Sequence, residues 1–339
     1  MALLDKVAGD CRLYIGGLFT LRRKPALQEI GLTHVLSVLR LPLDQDLFAG
    51  YTHKVVEVDD VDDENLLEHL PGCVAFIQNG LDSGGAVLVH CAMGKSRSAT
   101  AICAYLMHTH HISASQALAN LRQTRPFCEP NDGFMEQLEL YHQMGAPDTV
   151  EDHPIYQRWL YKREVEFSGA CGQAPDADKI RFEDEHAGRV SKESPAEFEL
   201  KCKKCRRQLA TSLYLLPHTP PTNPNAPSIA NTPISSLSPA PTAACTHYFL
   251  DPLSWMRAEL EQGKLEGRLE CPKCKANVGK YAWQGMRCSC RAWVVPGISL
   301  AKGRVDEMKL TGGSRGEGMG IRRPPGAVNA RGGQAKENL

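Results

Sequence analysis

His90-Cys91-Ala92-Met93-Gly94-Lys95-Ser96-Arg97-Ser98 decides the fold of the first part of this chain. Ahead of it, Ala86 to Val89 is a continuous apolar run that reads as a buried strand. Behind it, Ser98 to His108 reads as a helix. A strand that turns into a helix this abruptly lets successive backbone N–H groups curl into an anion-binding nest at the helix N-terminus. Gly94 supplies the backbone freedom for the curl. That setting, with Arg97 close by, draws the Cys91 thiol toward thiolate. The loop N–H groups of Ala92, Met93, Gly94, Lys95 and Ser96, and a bidentate Arg97, match the oxygens of a phosphate. The implied chemistry is attack of Cys91 on phosphorus, giving a cysteinyl-phosphate that water hydrolyses. A merely buried cysteine would explain Cys91, but not Gly94, Arg97 and the flanking His90 and Ser98 together.

Outward from the loop, residues 11–150 alternate in the α/β manner. Strands are expected at Arg12 to Ile15, Thr33 to Leu39 and Val55 to Val58. Helices are expected at Pro25 to Ile30, Glu64 to Asp82, Ser113 to Thr124 (with Ser113 as N-cap), Gly133 to Met144 and residues 153–166. The 339 residues suit two domains, with 42% hydrophobic and 23% charged residues. The start of the sequence lacks a signal-peptide pattern and no run of apolar residues is long enough to span a membrane, so a cytoplasmic and nuclear location is expected. There the 13 cysteines serve as thiols, metal ligands or catalytic groups rather than disulfides.

The loop resembles the His-Cys-five residues-Arg-Ser signature of protein tyrosine and dual-specificity phosphatases. Thr33-His34-Val35-Leu36-Ser37-Val38, Arg125-Pro126 and Pro130-Asn131-Asp132-Gly133-Phe134 extend the resemblance over about residues 11–150. It implies a compact catalytic domain at 1–150, a central sheet flanked by helices. It also implies that Ser98 bonds the Cys91 sulfur and that His90 holds the loop. A thiolate mechanism needs an acid for the leaving group, and the acidic run Asp59 to Glu64 offers it. In compact members of the family the acid precedes a short loop ending in Asn/Asp-Leu. Counting back from Asn65-Leu66 selects Asp60, 31 residues before Cys91, with Asp59 and Asp62 as competitors. The short segment between acid and nucleophile implies a shallow site that admits phosphotyrosine and phosphoserine/threonine. Lys95 departs from the family pattern, and its charge would suit phosphoinositides or an RNA 5′-phosphate as alternative substrates.

Seven cysteines fall between 202 and 290. Cys202/Cys205, Cys271/Cys274, Cys245/His247 and Cys288/Cys290 are four close pairs, eight N/S donors in all, enough for two structural Zn²⁺. The first guess joins 202/205 with 271/274 and 245/247 with 288/290; if His247 does not bind, one ion suffices. The small, mainly β module spans 200–301. Tyr248, Phe249, Trp255, Tyr281, Trp283 and Trp293 are expected to be its core. Residues 151–199 read as a helix and a charged linker, 217–244 as a disordered Pro-rich insertion, and 302–339 as a mostly disordered Gly/Arg-rich tail.

Charge is uneven. Residues 1–199 hold 18 Lys and Arg against 30 Asp and Glu, whereas 200–301 hold 13 against 5 and 302–339 hold 8 against 4. A basic back half suits an anionic partner such as RNA. Cys202-Lys-Lys-Cys-Arg-Arg207, Tyr248-Phe-Leu-Asp-Pro-Leu-Ser-Trp-Met256, Leu269-Glu-Cys-Pro-Lys-Cys274, Cys288-Ser-Cys290 and Lys302-Gly-Arg-Val-Asp-Glu-Met308 make the whole resemble the Yvh-type zinc-bearing phosphatases. That resemblance implies phosphoprotein substrates and no small-molecule cofactor. It also implies a role in large-ribosomal-subunit assembly, with the zinc module on the precursor particle and its RNA surface. Catalysis that is dispensable beside pure assembly work stays open.

Overall fold

The structure is a computed structural model that describes residues 4–186, 195–218 and 245–310. The expected Pro-rich insertion from residue 219 and the tail from residue 311 lie outside the described residues.

The first part runs β1 (Leu4–Lys6), β2 (Leu13–Gly17), α1 (Lys24–Glu29), β3 (Leu32–Val38), β4 (Thr52–Val56), α2 (Leu70–Asp82), β5 (Ala86–Cys91), α3 (Arg97–His110), α4 (Ala114–Arg122), α5 (Asp132–Gln143) and α6 (Pro154–Ala170). The sheet order is β1-β2-β5-β3-β4. β5 lies parallel between β2 and β3, so it is covered on both faces and all six of its residues are buried. Alternation assigns the faces. Val87 and Val89 join the larger core under α2 to α5, while Leu88 joins Leu21, Leu27, Leu32, Val35 and Phe48 on the other side. This is the expected α/β domain with a central sheet between helices. β1 was not expected; it is a short edge strand with a polar sequence.

Local chemistry sets the helix ends. Ser113 forms a capping box with Gln116, and Asn131 caps α5 through Phe134 N. α2 begins six residues later than the apolar stripe suggests. Gln137 Oε1 accepts the N–H groups of Leu66 and Leu67, which holds that stretch outside the helix.

The second part contains β6 (Phe198–Cys202), β7 (Gln208–Thr211), β8 (His247–Phe249), α7 (Arg257–Leu260), β9 (Glu266–Glu270), β10 (Asn277–Ala282), β11 (Met286–Arg287), β12 (Trp293–Val294), β13 (Gly297–Ala301) and β14 (Val305–Lys309). These make sheets ordered β8-β13-β10-β9, β14-β6-β7 and β11-β12. The module is mainly β, as expected. Tyr248, Phe249, Tyr281 and Trp283 are buried, but Trp293 is exposed, so it does not serve the core.

Two expectations are corrected. The charged linker is partly core: Ile180 and Phe182 pack with Tyr161 and Val165 of α6 against the second module. Its charges concealed this, because Arg158 and Arg181 both pair with the buried Glu183. The tail likewise starts late. Val305–Lys309 pairs antiparallel with β6; Val305 is its one buried residue, which gave the segment a polar look.

Candidate active site and metal-ligating clusters

Cys91 ends β5 and Arg97 opens α3, so the loop between them is gripped by two regular elements. Gly94 has φ +70°, and a Cβ there would lie 2.5 Å from Gly16 O; the position excludes any side chain. Arg125 braces the loop from outside, donating to Gly94 O (2.8 Å) and Met93 O (3.3 Å) while pairing with Asp5. Cys91 Sγ accepts from Gly94 N at 3.2 Å and from Ser98 Oγ at 3.3 Å. Burial pushes the thiol pKa up, but the Ser98 hydroxyl and the N–H groups of Ser98, Lys95 and Gly94 outweigh it, and the net shift is downward. The sequence reading credited the loop N–H groups with Arg97 beside them; the structure keeps the loop amides and puts the Ser98 hydroxyl in the place of Arg97.

Arg97 is buried, donates to Val58 O at 3.0 Å, and leaves its Nε without a hydrogen bond. Asp60 Oδ2 lies 3.6 Å from that Nε. Asp60 Oδ1 accepts from Ser96 Oγ (2.5 Å) and Asn131 Nδ2 (3.1 Å). Asp59 instead faces Arg40 at 2.6 Å, and the Asp62 backbone packs on Gly133. Of the three candidate acids, Asp60 is the one whose carboxylate meets the loop. Lys95 pairs with Glu129 at 2.6 Å, so its charge is offset. Ala92 and Met93 complete the loop, Met93 largely exposed. His90 lies beneath, its ring bonded to Ser37 Oγ at 2.6 Å.

In the second part the donors gather in two groups. Cys202, Cys205, Cys271 and Cys274 form one, with Sγ separations of 3.7 Å (202–274) and 3.5 Å (205–271). A tetrahedral site with Zn–S of about 2.3 Å has edges of about 3.8 Å, so the spacing fits zinc. The other group is His218, Cys245, Cys288 and Cys290. His218 Nε2 is 3.1 Å from Cys288 Sγ and 3.4 Å from Cys245 Sγ. The expectation of His247 is therefore wrong. Its Nδ1 faces Thr246 Oγ1, and it pairs with Ala301 in the sheet. Leu216 N bonds Phe249 O and Leu215 bridges Leu250, which lays the end of that run beside β8 and brings His218 to Cys245. His218 stands inside the stretch set aside as disordered, so only the fold could find it. Each of the three cysteine knuckles closes with a basic residue at positive φ: Arg206 (63°), Lys275 (56°) and Arg291 (74°).

Sequence reading also missed Arg125, Asn131, Ser37 and His53 as parts of the site. Ser37, Arg125 and Asn131 stood in quoted motifs, but nothing local says that they reach the loop.

A family model described as the dual specificity phosphatase catalytic domain matches residues 13–144. The tyrosine-protein phosphatase YVH1 of Saccharomyces cerevisiae is 33% identical over 329 residues, 88% of this chain and 90% of that one. Dual specificity protein phosphatase 12 of Homo sapiens is 36% identical over 306 residues, 88% of this chain and 87% of its own length. Among solved structures, the Yvh1 phosphatase domain from Chaetomium thermophilum is 42% identical and covers 43% of this chain and 98% of its own, with a TM-score of 0.41. Since the likeness to the curated relatives runs through both parts at this identity, the chain belongs to the Yvh-type dual-specificity protein phosphatases.

Proposed function

We propose that Cys91, Arg97, Asp60 and Ser98 carry the hydrolysis of phosphotyrosine and phosphoserine/threonine, and that the second part serves assembly of the large ribosomal subunit. The single observation that carries the catalytic reading is the convergence at Cys91. A buried sulfur with a lowered pKa receives Ser98 Oγ and loop amides, and Asp60 stands beside Arg97 at the same loop. In the first step the thiolate bonds phosphorus, the P–O bond to the leaving group breaks, and protonated Asp60 gives its proton to the leaving oxygen. The phosphoryl oxygens lie against Arg97 and the N–H groups of residues 92–97. In the second step water attacks phosphorus, Asp60 takes its proton, and the thiolate leaves into the Ser98 hydroxyl bond. Exposed Met93 and half-exposed Lys95 at the rim favour a shallow site and broad phosphomonoester scope. The Lys95–Glu129 pair offsets one of the two supports for a phosphoinositide or RNA 5′-end preference, and the basic excess of residues 200–301 is the other.

The two donor groups hold structural Zn²⁺ in this reading: Cys202, Cys205, Cys271 and Cys274 one ion, and His218, Cys245, Cys288 and Cys290 the other. The basic excess of residues 200–301 supports a ribosomal RNA surface as partner, in cytoplasm and nucleus. Cys91→Ser is expected to abolish aryl-phosphate hydrolysis without loss of precursor-particle association. Cys271→Ser with Cys274→Ser is expected to do the reverse. Residual hydrolysis by the first variant at the wild-type rate would remove Cys91 as nucleophile. Particle binding by the second would remove the zinc module as the docking part.

A further inference from the structure

Beneath the phosphate loop, three polar side chains stand in a line that neither chemical step uses. His90 is fully buried, yet both ring nitrogens are matched. Nδ1 lies 3.3 Å from Cys91 O, and Nε2 lies 2.6 Å from Ser37 Oγ. The same Ser37 Oγ lies 2.8 Å from His53 Nε2. His53 is held flat on Phe48, with ring centroids 3.6 Å apart and planes 5° from parallel. Ser37 (β3), His53 (β4) and His90 (β5) come from three adjacent strands, with Ser37 in register with His90.

Hydrogen counting leaves one arrangement. A carbonyl oxygen only accepts, so His90 Nδ1 carries a hydrogen. Burial first, with the nearby His53 adding to it and the Cys91 carbonyl opposing, lowers the His90 pKa to about 4; the ring is neutral and its Nε2 is bare. Ser37 must then donate its one hydrogen to His90 Nε2. What remains on Ser37 is acceptor capacity, which His53 Nε2–H fills. The hydrogens therefore all run one way: His53 to Ser37, Ser37 to His90, His90 to the Cys91 carbonyl.

We propose that Ser37 and His53 are positioning residues for the phosphatase reaction, which fix the His90 tautomer so that its Nδ1–H anchors the Cys91 carbonyl. This rests on Cys91 being the nucleophile. The anchored carbonyl sits at the first peptide of the loop, immediately before the N–H groups that face the sulfur. With the other tautomer, a bare Nδ1 would face the carbonyl oxygen, acceptor against acceptor, and the peptide would turn. The amides of Gly94 and Lys95 and the Ser98 hydroxyl would then lose their alignment on the thiolate. Neither Ser37 nor His53 touches the phosphate in this arrangement; both act through His90.

Two measurements on the full-length protein test this. In the unaltered protein, ¹⁵N–¹H correlation spectra of the histidine rings should show His90 with hydrogen on Nδ1 and His53 with hydrogen on Nε2. Hydrogen on His90 Nε2 overturns the proposal without any variant. The second is the pH dependence of iodoacetamide alkylation, followed on the Cys91 peptide by mass spectrometry. Ser37→Ala and His53→Leu should move the midpoint up by about one pH unit and lower kcat with KM little changed. His53→Gln, whose amide nitrogen can stand where Nε2 donates, should keep the original midpoint. Midpoints that do not move in the first two variants, or that move equally with Gln and Leu, overturn the positioning role. A Cys91 that titrates like an ordinary thiol in the unaltered protein instead removes the nucleophile reading, so the two failures are distinct.

Discussion

Gly133 opens α5 against the acid loop, where a Cβ would lie 1.9 Å from Asp62 O. Asp60 sits two residues before that contact and Asn131, which donates to Asp60, two residues before Gly133. Gly133→Ala therefore has to push the acid loop off the phosphate site. The expected result is a fall in kcat of about 10²-fold for poor leaving groups, with much less for activated ones that need no acid. A steady-state comparison across aryl phosphates of graded leaving-group pKa checks it. Asp251 makes a different residue-scale prediction. Burial, with Glu183 adding, raises its pKa from 3.8 to about 7 against the opposing Arg158 and Arg181. Since the folded value lies above the unfolded one, its contribution to stability is full below about pH 4 and is lost as pH rises toward 7. Asp251→Asn should raise the melting temperature at about pH 8 and leave it nearly unchanged at about pH 4. Thermal melts at the two pH values decide this.

α6 is the element that both cores share. Tyr156 and Trp159 pack into the first core, Tyr161 and Val165 into the second. Arg163 lies over the Trp159 ring at 4.6 Å and donates to the Asp63 carbonyl. Tyr156 OH bonds Asn65 and Glu68 at the far end of the same loop. One helix thus ties the acid loop to the second module. Arg163→Met, which keeps the apolar stem but loses the donor, should slow turnover of poor leaving groups more than good ones. Equal slowing of both, measured as kcat for each, would mean that the helix only supports the fold. The helix itself was legible in the sequence at 153–166. Its partners were not, because no stripe of residues says that one end belongs to another core.

At the scale of the molecule, the sheet domain has its own large core, whereas the second part draws on small sheets and two four-donor groups. A structural zinc ion contributes about 10–16 kcal/mol, as much as the whole stability of an ordinary domain, about 5–15 kcal/mol. With zinc held by the two donor groups as proposed, exhaustive chelation should unfold the second module and leave the phosphatase domain folded. Calorimetry with and without chelator reads this as loss of one transition, while Cys91-dependent turnover persists. A single transition that vanishes altogether would show that α6 makes the two parts one cooperative unit. Among the described residues, no helix is long and apolar enough to cross a membrane.

The phosphate loop, the alternating strands and helices, and the cysteine knuckles were all legible in the sequence, because each is a short-range pattern. Nest geometry needs neighbours a few residues apart, burial on both faces of β5 shows as an unbroken apolar run, and a knuckle needs two cysteines at one turn. What only the tertiary structure decided depends on contacts between distant segments. The count from Asn65-Leu66 selects Asp60 but leaves Asp59 in competition, and the fold separates them by turning Asp59 to Arg40 and Asp60 to Arg97. The fourth donor of the second group is His218 and not His247, because strand pairing across a long insertion carries it there. Buried Glu183 hides in a charged stretch since two arginines match it. Such choices arise from partners that are far apart in sequence and meet only when the chain has folded, so no local pattern records them.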